Sequence, residues 1–164
     1  STPHCGSILM PSKRKPIIGV IGASQPSAEG LRMAEIVGRE VATRGAVLVC
    51  GGLGGVMEAA SKGAAEAGGN VLGILPGADS LSANPYVTLP VPTNMGHARN
   101  VIIAHTAEAL IAVEGEYGTL SEAAISLKLG KPVFVLPGGP RVFGAVSVNS
   151  AESAVDLAFE SLKL

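Results

Sequence analysis

Two segments of this chain carry residues whose types and spacing could do chemistry: Glu114-Gly115-Glu116-Tyr117-Gly118-Thr119-Leu120-Ser121-Glu122 and Gly51-Gly52-Leu53-Gly54-Gly55. Each lies between an apolar, strand-like run and a helix-like run. A glycine-rich turn that opens a helix exposes unpaired backbone N–H groups at the positive end of the helix dipole, which is a site for phosphate. Two such turns point to a ligand that has a phosphate and something attached to it. Glu114 and Glu116 are out of place in that scheme, because an anion-binding loop is ordinarily neutral.

Each feature also has a plainer reading. The glycine cluster could be only a tight strand-to-helix turn, yet four glycines in five residues exceed what a turn requires. Thr119-Leu120-Ser121-Glu122 matches a capping box, in which Thr119 caps the helix and Glu122 reaches back to it. Arg99, within Met95-Gly96-His97-Ala98-Arg99-Asn100, is a lone cation in an apolar neighbourhood, and alone it reads as readily as a surface arginine. His97 and His105 fit as ordinary helix residues. With three histidines and no close carboxylate–histidine spacing, no metal site is expected. Gly130-Lys131 runs into Pro132, so there is no Walker A loop, and no GxGxxG follows the first apolar run.

The elements that must position these residues alternate. Ile17–Ile21 reads as a buried strand ending in the turn Gly22-Ala23-Ser24. A helix follows over Ala28–Arg44, with Leu31, Ala34, Val37 and Val41 at helical spacing and Gly45 as its stop. Ala46–Cys50 is a second strand and Val56–Ala67 a second helix, with a third strand at Val71–Leu75. Ala78–Met95, with Asn84-Pro85, Pro90 and Pro92, is the longest irregular stretch, with an extended piece near Val87–Leu89. Loops of that length in compact domains tend to be functional. A helix at His97–Thr106, a strand at Ala109–Val113, a helix at Leu120–Leu129, a strand at Val133–Leu136 and a helix at Ala151–Leu162 complete the pattern. Continuous apolar strands alternating with helices predict an α/β fold: a doubly wound, Rossmann-like parallel sheet with helices on both faces. Turns 22–24, 51–55, 76–77 and 114–119 then share the carboxyl edge of the sheet, where such folds bind ligands.

Composition sets bounds. The 164 residues fit one ligand-binding domain over 16–164, preceded by a mobile arm over 1–15 that lacks periodicity. The chain starts with Ser1 and reads as a processed or trimmed product, without the apolar core of a signal segment. Aromatic residues make up 3% against a 47% hydrophobic share, so stacking platforms for single-stranded nucleic acid are scarce. Twelve basic and 13 acidic residues give no basic field, and nucleic acid is not expected as a partner. Nor is a membrane, since no apolar stretch approaches the roughly 20 residues of a span. Cys5 and Cys50 suggest neither a disulfide framework nor a zinc site and point to a reducing, cytoplasmic setting. The surplus of apolar residues marks an interface, so an oligomer is expected.

Gly51-Gly52 and Gly54-Gly55-Val56-Met57-Glu58, Met95 with Arg99-Asn100, and Tyr117-Gly118-Thr119-Leu120-Ser121-Glu122 together resemble the Lonely guy family. The resemblance runs from about residue 17 to 137. It implies a Rossmann-like fold, and its active members are phosphoribohydrolases acting on cytokinin nucleoside 5′-monophosphates. On the family pattern PGGxGTxxE, Glu114 stands at the proline, Gly115 at the first glycine and Glu116 at the second, while Gly118, Thr119 and Glu122 agree. Arg99 falls on the family's catalytic arginine and Glu122 on its catalytic glutamate. The two substitutions weigh against hydrolysis, because the second glycine lets the backbone approach the nucleotide.

Within the family, the chain resembles more closely the non-catalytic carrier branch of green algae. That likeness implies a homotetramer that binds molybdenum cofactor, shields it and delivers it to molybdoenzymes. The implied ligand surface comprises Gly22, Ala23, Ser24, Gly51, Gly52, Gly54, Gly55, Met95, Arg99, Asn100, Glu114, Gly115, Glu116, Tyr117, Gly118, Thr119 and Glu122. The cofactor joins a pterin, a terminal phosphate and a dithiolene that holds the metal. Turns 51–55 and 118–119 could take the phosphate, and Glu114 or Glu116 could accept two hydrogen bonds from the pterin's N–H edge. The plain alternative leaves both glutamates in solvent. The expectation is therefore a non-catalytic binding protein. The alternative is a nucleoside 5′-monophosphate phosphoribohydrolase using Arg99 and Glu122, and a third reading is an oligomeric scaffold with an inert pocket.

Overall fold

The computed structural model describes residues 14–162; the arm expected over 1–15 falls outside that range except for Arg14 and Lys15. Among the described residues, seven strands form one sheet: β1 Ile17–Gly22, β2 Val47–Cys50, β3 Val71–Leu75, β4 Leu89–Pro92, β5 Ala109–Val113, β6 Val133–Val135 and β7 Val146–Ser147. Their order is β4-β3-β2-β1-β5-β6-β7, and every neighbouring pair is parallel. The α/β, Rossmann-like reading of the sequence holds.

Both faces of the five inner strands are covered, which is why β1, β2, β3, β5 and β6 read as apolar runs. Ala109, Ile111 and Val113 of β5 point into one core, with Ile18 and Val20 of β1; Leu110 and Ala112 point into the other, with Ile21. The first core is closed by α1 (Ala28–Thr43), α2 (Val56–Glu66) and α5 (Ala151–Glu160), through Val37, Val41, Ala60, Ala64 and Val155. The second is closed by α3 (Arg99–Thr106) and α4 (Tyr117–Lys128), through Ile103 and Ala123. Helices α1 and α2 touch backbone to backbone. A Cβ on Gly38 would lie 1.9 Å from the Ala60 carbonyl oxygen, and one on Gly63 would lie 2.1 Å from that of Glu35.

The structure departs from the sequence reading at four places. The extended piece near 87–89 is a strand at Leu89–Pro92, whose alternate prolines remove donors from an edge of the sheet. The helix expected at His97 opens as a 3-10 turn, Gly96–Ala98, before α3 begins at Arg99. Helix α4 begins three residues earlier than expected, at Tyr117. Strand β7 was not expected, because two residues carry no periodicity. Cys50 is fully buried and its Sγ lies 3.5 Å from the Ser61 hydroxyl; burial raises its pKa, as for an inert core thiol. Among the described residues, no helix is long and apolar enough to cross a membrane.

Candidate functional site

Strand order reverses beside β1, which lies between β2 and β5. At the carboxyl ends of β1 and β5 opens a cavity of about 510 Å³, where a doubly wound sheet places its ligands. The turn after β1 contributes Gly22, Ala23, Ser24 and Gln25, and the turn after β2 contributes Gly51 with Met57 of α2. His97, Arg99 and Asn100 come from the 3-10 turn and α3, and Glu116, Tyr117, Gly118, Thr119 and Glu122 from the start of α4. Eleven of the residues named from sequence thus share one cavity. A wider groove of about 660 Å³ runs between α1 and α2, but none of the residues lining it is fully buried, and the Glu35–Lys62 ion pair lies across it.

Two helices open onto the cavity. In α4 the first amide to bond back is that of Leu120, to the Glu116 carbonyl, and the Glu116 side chain makes no cap. The amides of Tyr117, Gly118 and Thr119 therefore have no partner within the helix. In α2 the amide of Val56 bonds to the Ala23 carbonyl (2.9 Å), that of Ala59 bonds back to Gly55, and no side chain caps the helix. Met57, which lines the cavity, carries one of the amides left over.

Arg99 is the buried cation of this site, only 7% exposed. Its Nη1 donates to Asn100 Oδ1 (2.6 Å) and its Nη2 to the Gly51 carbonyl (3.4 Å), while Nε has no partner among the described residues. Burial lowers its pKa, but a guanidinium starts so high that the charge stays. Half-buried Glu122 is pushed up to about 7 by burial, and the charge of Arg99 pulls it only partly back. Near neutrality Glu122 can hold or release a proton.

The remaining residues named from sequence do not line the cavity. The backbone of Glu114 has φ 55° and its carboxylate turns to α1, accepting from the Ser27 amide (2.9 Å) and hydroxyl (2.5 Å). It is engaged with Ser27 rather than loose in solvent. Gly115, at φ 110°, sits on Thr119, whose Oγ1 would lie 2.2 Å from a Cβ there. Thr119 is thus a buried residue inside α4, and the capping box read from Thr119 and Glu122 does not form. Gly52 has φ 77° with Leu75 against it, and Gly55 has φ 71° with the carbonyls of Ala23 and Ser24 2.5 Å from a Cβ. A Cβ on Gly51 would meet Arg99 Nη2 at 2.7 Å. Only Gly54 has open space around it, so most of this glycine cluster is required by the fold itself. Met95, 49% exposed, precedes the 3-10 turn and bonds to it through its carbonyl. Sequence reasoning missed Gln25, Met57, Val20 and Ile21 as lining residues and took His97 as ordinary. Met57 had a signal in its place one residue inside the helix that follows the glycine turn.

A parallel sheet with a switch-point cavity, two helix starts without side-chain caps and a buried arginine define a Rossmann-like fold with hydrogen-bond donors gathered at its carboxyl edge. Residues 15–160 match the SLOG cluster4 family (LDcluster4), and the chain belongs to that family. The match agrees with the Lonely guy resemblance. An uncharacterised protein of Archaeoglobus fulgidus is 48% identical over 144 residues, 88% of this chain and 95% of that protein. The molybdenum cofactor binding protein of the phototrophic bacterium Rippkaea orientalis superposes with a TM-score of 0.85 at 34% identity, over 91% of this chain and 98% of that one. The molybdenum cofactor carrier protein of Chlamydomonas reinhardtii gives 0.82 at 34% identity, over 92% and 100%. The likeness therefore extends beyond green algae.

Proposed function

We propose that this chain binds molybdenum cofactor, protects it and delivers it to molybdoenzymes without turning it over, as a cytoplasmic homo-oligomer, a tetramer by the family likeness. The observation that carries the reading is the likeness, over nine-tenths or more of both chains, to two proteins that bind this cofactor. The donor set of the cavity fits the ligand. The amides of Tyr117, Gly118 and Thr119, with the charge of Arg99 in the same cavity, suit a terminal phosphate. Glu116 lines the cavity with an exposed carboxylate that can accept from the N–H edge of a pterin; Glu114, held by Ser27, is not available for that. The dithiolene brings its own hold on the metal, so no protein thiolate is required.

Oxidising the purified protein and measuring pterin fluorescence identifies what it carries, and transfer to a cofactor-free molybdoenzyme measures delivery. Arg99→Ala should lower retained cofactor by about tenfold, the size of one lost charge-assisted bond. Protein free of pterin after anaerobic loading would overturn the proposal.

One observation favours a second reading. Arg99 and a Glu122 that titrates near 7 share the cavity, the pairing that acid–base cleavage of an N-glycosidic bond needs. Release of free base from AMP or a cytokinin monophosphate at enzymatic rates would put the phosphoribohydrolase in place of the carrier.

A further inference from the structure

We infer that Asn84 is the positioning residue of this cavity: from the long loop between β3 and β4, it sets the shape of the glycine turn that anchors Arg99. The inference rests on the reading of the cavity as an anion site.

Asn84 lies in an irregular segment, yet it is only 7% exposed. Its backbone amide donates to the Gly52 carbonyl (2.8 Å), and its Nδ2 donates to the Leu53 carbonyl (3.0 Å) and the Ser61 hydroxyl (3.3 Å). Its Oδ1 accepts from the Tyr86 amide (3.0 Å). The partners fix which way the amide points, because the reverse orientation would set Oδ1 against the Leu53 carbonyl oxygen. Ser61 already donates to the Met57 carbonyl (2.7 Å), so its oxygen is free to accept from Asn84.

The turn has reason to need such a hold. Gly52 and Gly55 both adopt positive φ, and glycines in that region have the most backbone freedom to lose. Three consecutive residues of the turn are tied. The Gly51 carbonyl accepts from Arg99, the Gly52 amide donates to Cys50 Sγ (3.4 Å) while its carbonyl accepts from Asn84, and the Leu53 carbonyl accepts from the Asn84 side chain. Asn84 thus bonds to the two peptide units that follow the one holding the guanidinium. Leu53 and Gly51 receive no such bond from any other side chain of that loop among the described residues. Asn84 itself does not line the cavity, so it acts through the turn and through Arg99.

The test uses the full chain, labelled at arginine nitrogen, with inorganic phosphate as the probe. The Arg99 Nε–H signal is assigned by its loss in Arg99→Lys. Asn84→Asp replaces both side-chain donors with oxygen and should move the Arg99 signal and weaken phosphate binding by about tenfold. Thr88→Val is the control: it removes the hydroxyl's bonds from the same loop to the Val71 amide (2.7 Å) and carbonyl (3.3 Å), at the end of β3 away from the turn, and should leave both readouts unchanged. In the Arg99→Lys background, Asn84→Asp should cost no further affinity, which a merely structural role would not predict. If Asn84→Asp does not fold, Asn84→Ser retains the backbone bond and is read in the same way. An unmoved Arg99 signal, or a full additional loss in the Arg99→Lys background, overturns the inference. A parent protein that ignores phosphate while its Arg99 signal still responds to Asn84 refutes the anion site instead and leaves the positioning role standing.

Discussion

Glu114 and Glu116 stand two residues apart in one turn and have unlike surroundings. Glu114 accepts two hydrogen bonds from Ser27, the residue whose own hydroxyl caps α1 by accepting from the Gly30 amide (3.1 Å). A carboxylate at that helix start gains from the dipole as well. Glu114→Ala should destabilise the fold by about 1–2 kcal/mol in urea denaturation, since these bonds to a charged acceptor are partly solvated. An unchanged midpoint would remove its bracing role. Glu116 is exposed on the cavity rim, so it acts on a bound anion through solvent. Glu116→Gly should tighten AMP binding by about three- to tenfold in calorimetry. Equal affinities would show that the rim carboxylate is no barrier to nucleotides. Glu122 gives the residue scale its pH dependence. Its folded pKa, about 7, stands above the ordinary carboxylate value of 4.5, so between those values the folded chain binds more protons than the unfolded one. Stability should fall as pH rises through that window and level off above it. Glu122→Gln should flatten the profile of Tm between pH 5 and 8; parallel slopes in parent and variant would contradict the assignment.

At the scale of elements, the five inner strands were legible because burial on both faces writes them as short apolar runs, and the helices because Val37, Val41 and their neighbours keep helical spacing. The start of α4 was not legible. Thr119 and Glu122 imitate a capping box, while the true first turn depends on Gly115 at φ 110° stacking on Thr119, a contact that spacing does not encode. The partnership of Glu114 with Ser27, 87 residues apart, was likewise invisible, and so was that of Asn84 with Leu53. The glycine cluster was noticed for the wrong reason in part: three of its members answer to neighbouring atoms or to positive φ before any ligand is considered. Gly38 carries the same lesson in the α1–α2 contact. Gly38→Ala would drive a Cβ against a backbone oxygen that cannot turn aside, and should cost at least about 2 kcal/mol. Gly77→Ala, with nothing within 4 Å, should change stability by less than about 0.5 kcal/mol. Equal effects of the two in chemical denaturation would show that the helices can separate freely.

For the whole molecule, the two faces of the sheet are unequally closed. Among the described residues, three helices cover one core, whereas the helices over the other are α3 and α4. Helix α4 turns Thr119, Ala123 and Ser126 inward, small residues that bring it close to the sheet, and leaves Leu120 exposed, with Leu129 exposed just past its end. Val101 of α3 is 42% exposed. Tyr117 and Leu120 on α4, with Leu129 beyond it and Val101 on α3, leave apolar surface that an interface would cover. The proposed homo-oligomer would cover it through α3 and α4, the helices that also carry Arg99, Glu116 and Glu122. Sedimentation of the parent at micromolar concentration should then give a multiple of 16.4 kDa. Val101→Lys with Leu120→Lys places two charges where an interface would desolvate them, and should return the protein to a monomer that keeps its helical circular dichroism. Because Leu120 follows Thr119 directly, the monomer should also hold less cofactor than the parent. A parent that sediments as a monomer, or a double variant that remains assembled, would take α3 and α4 out of the interface.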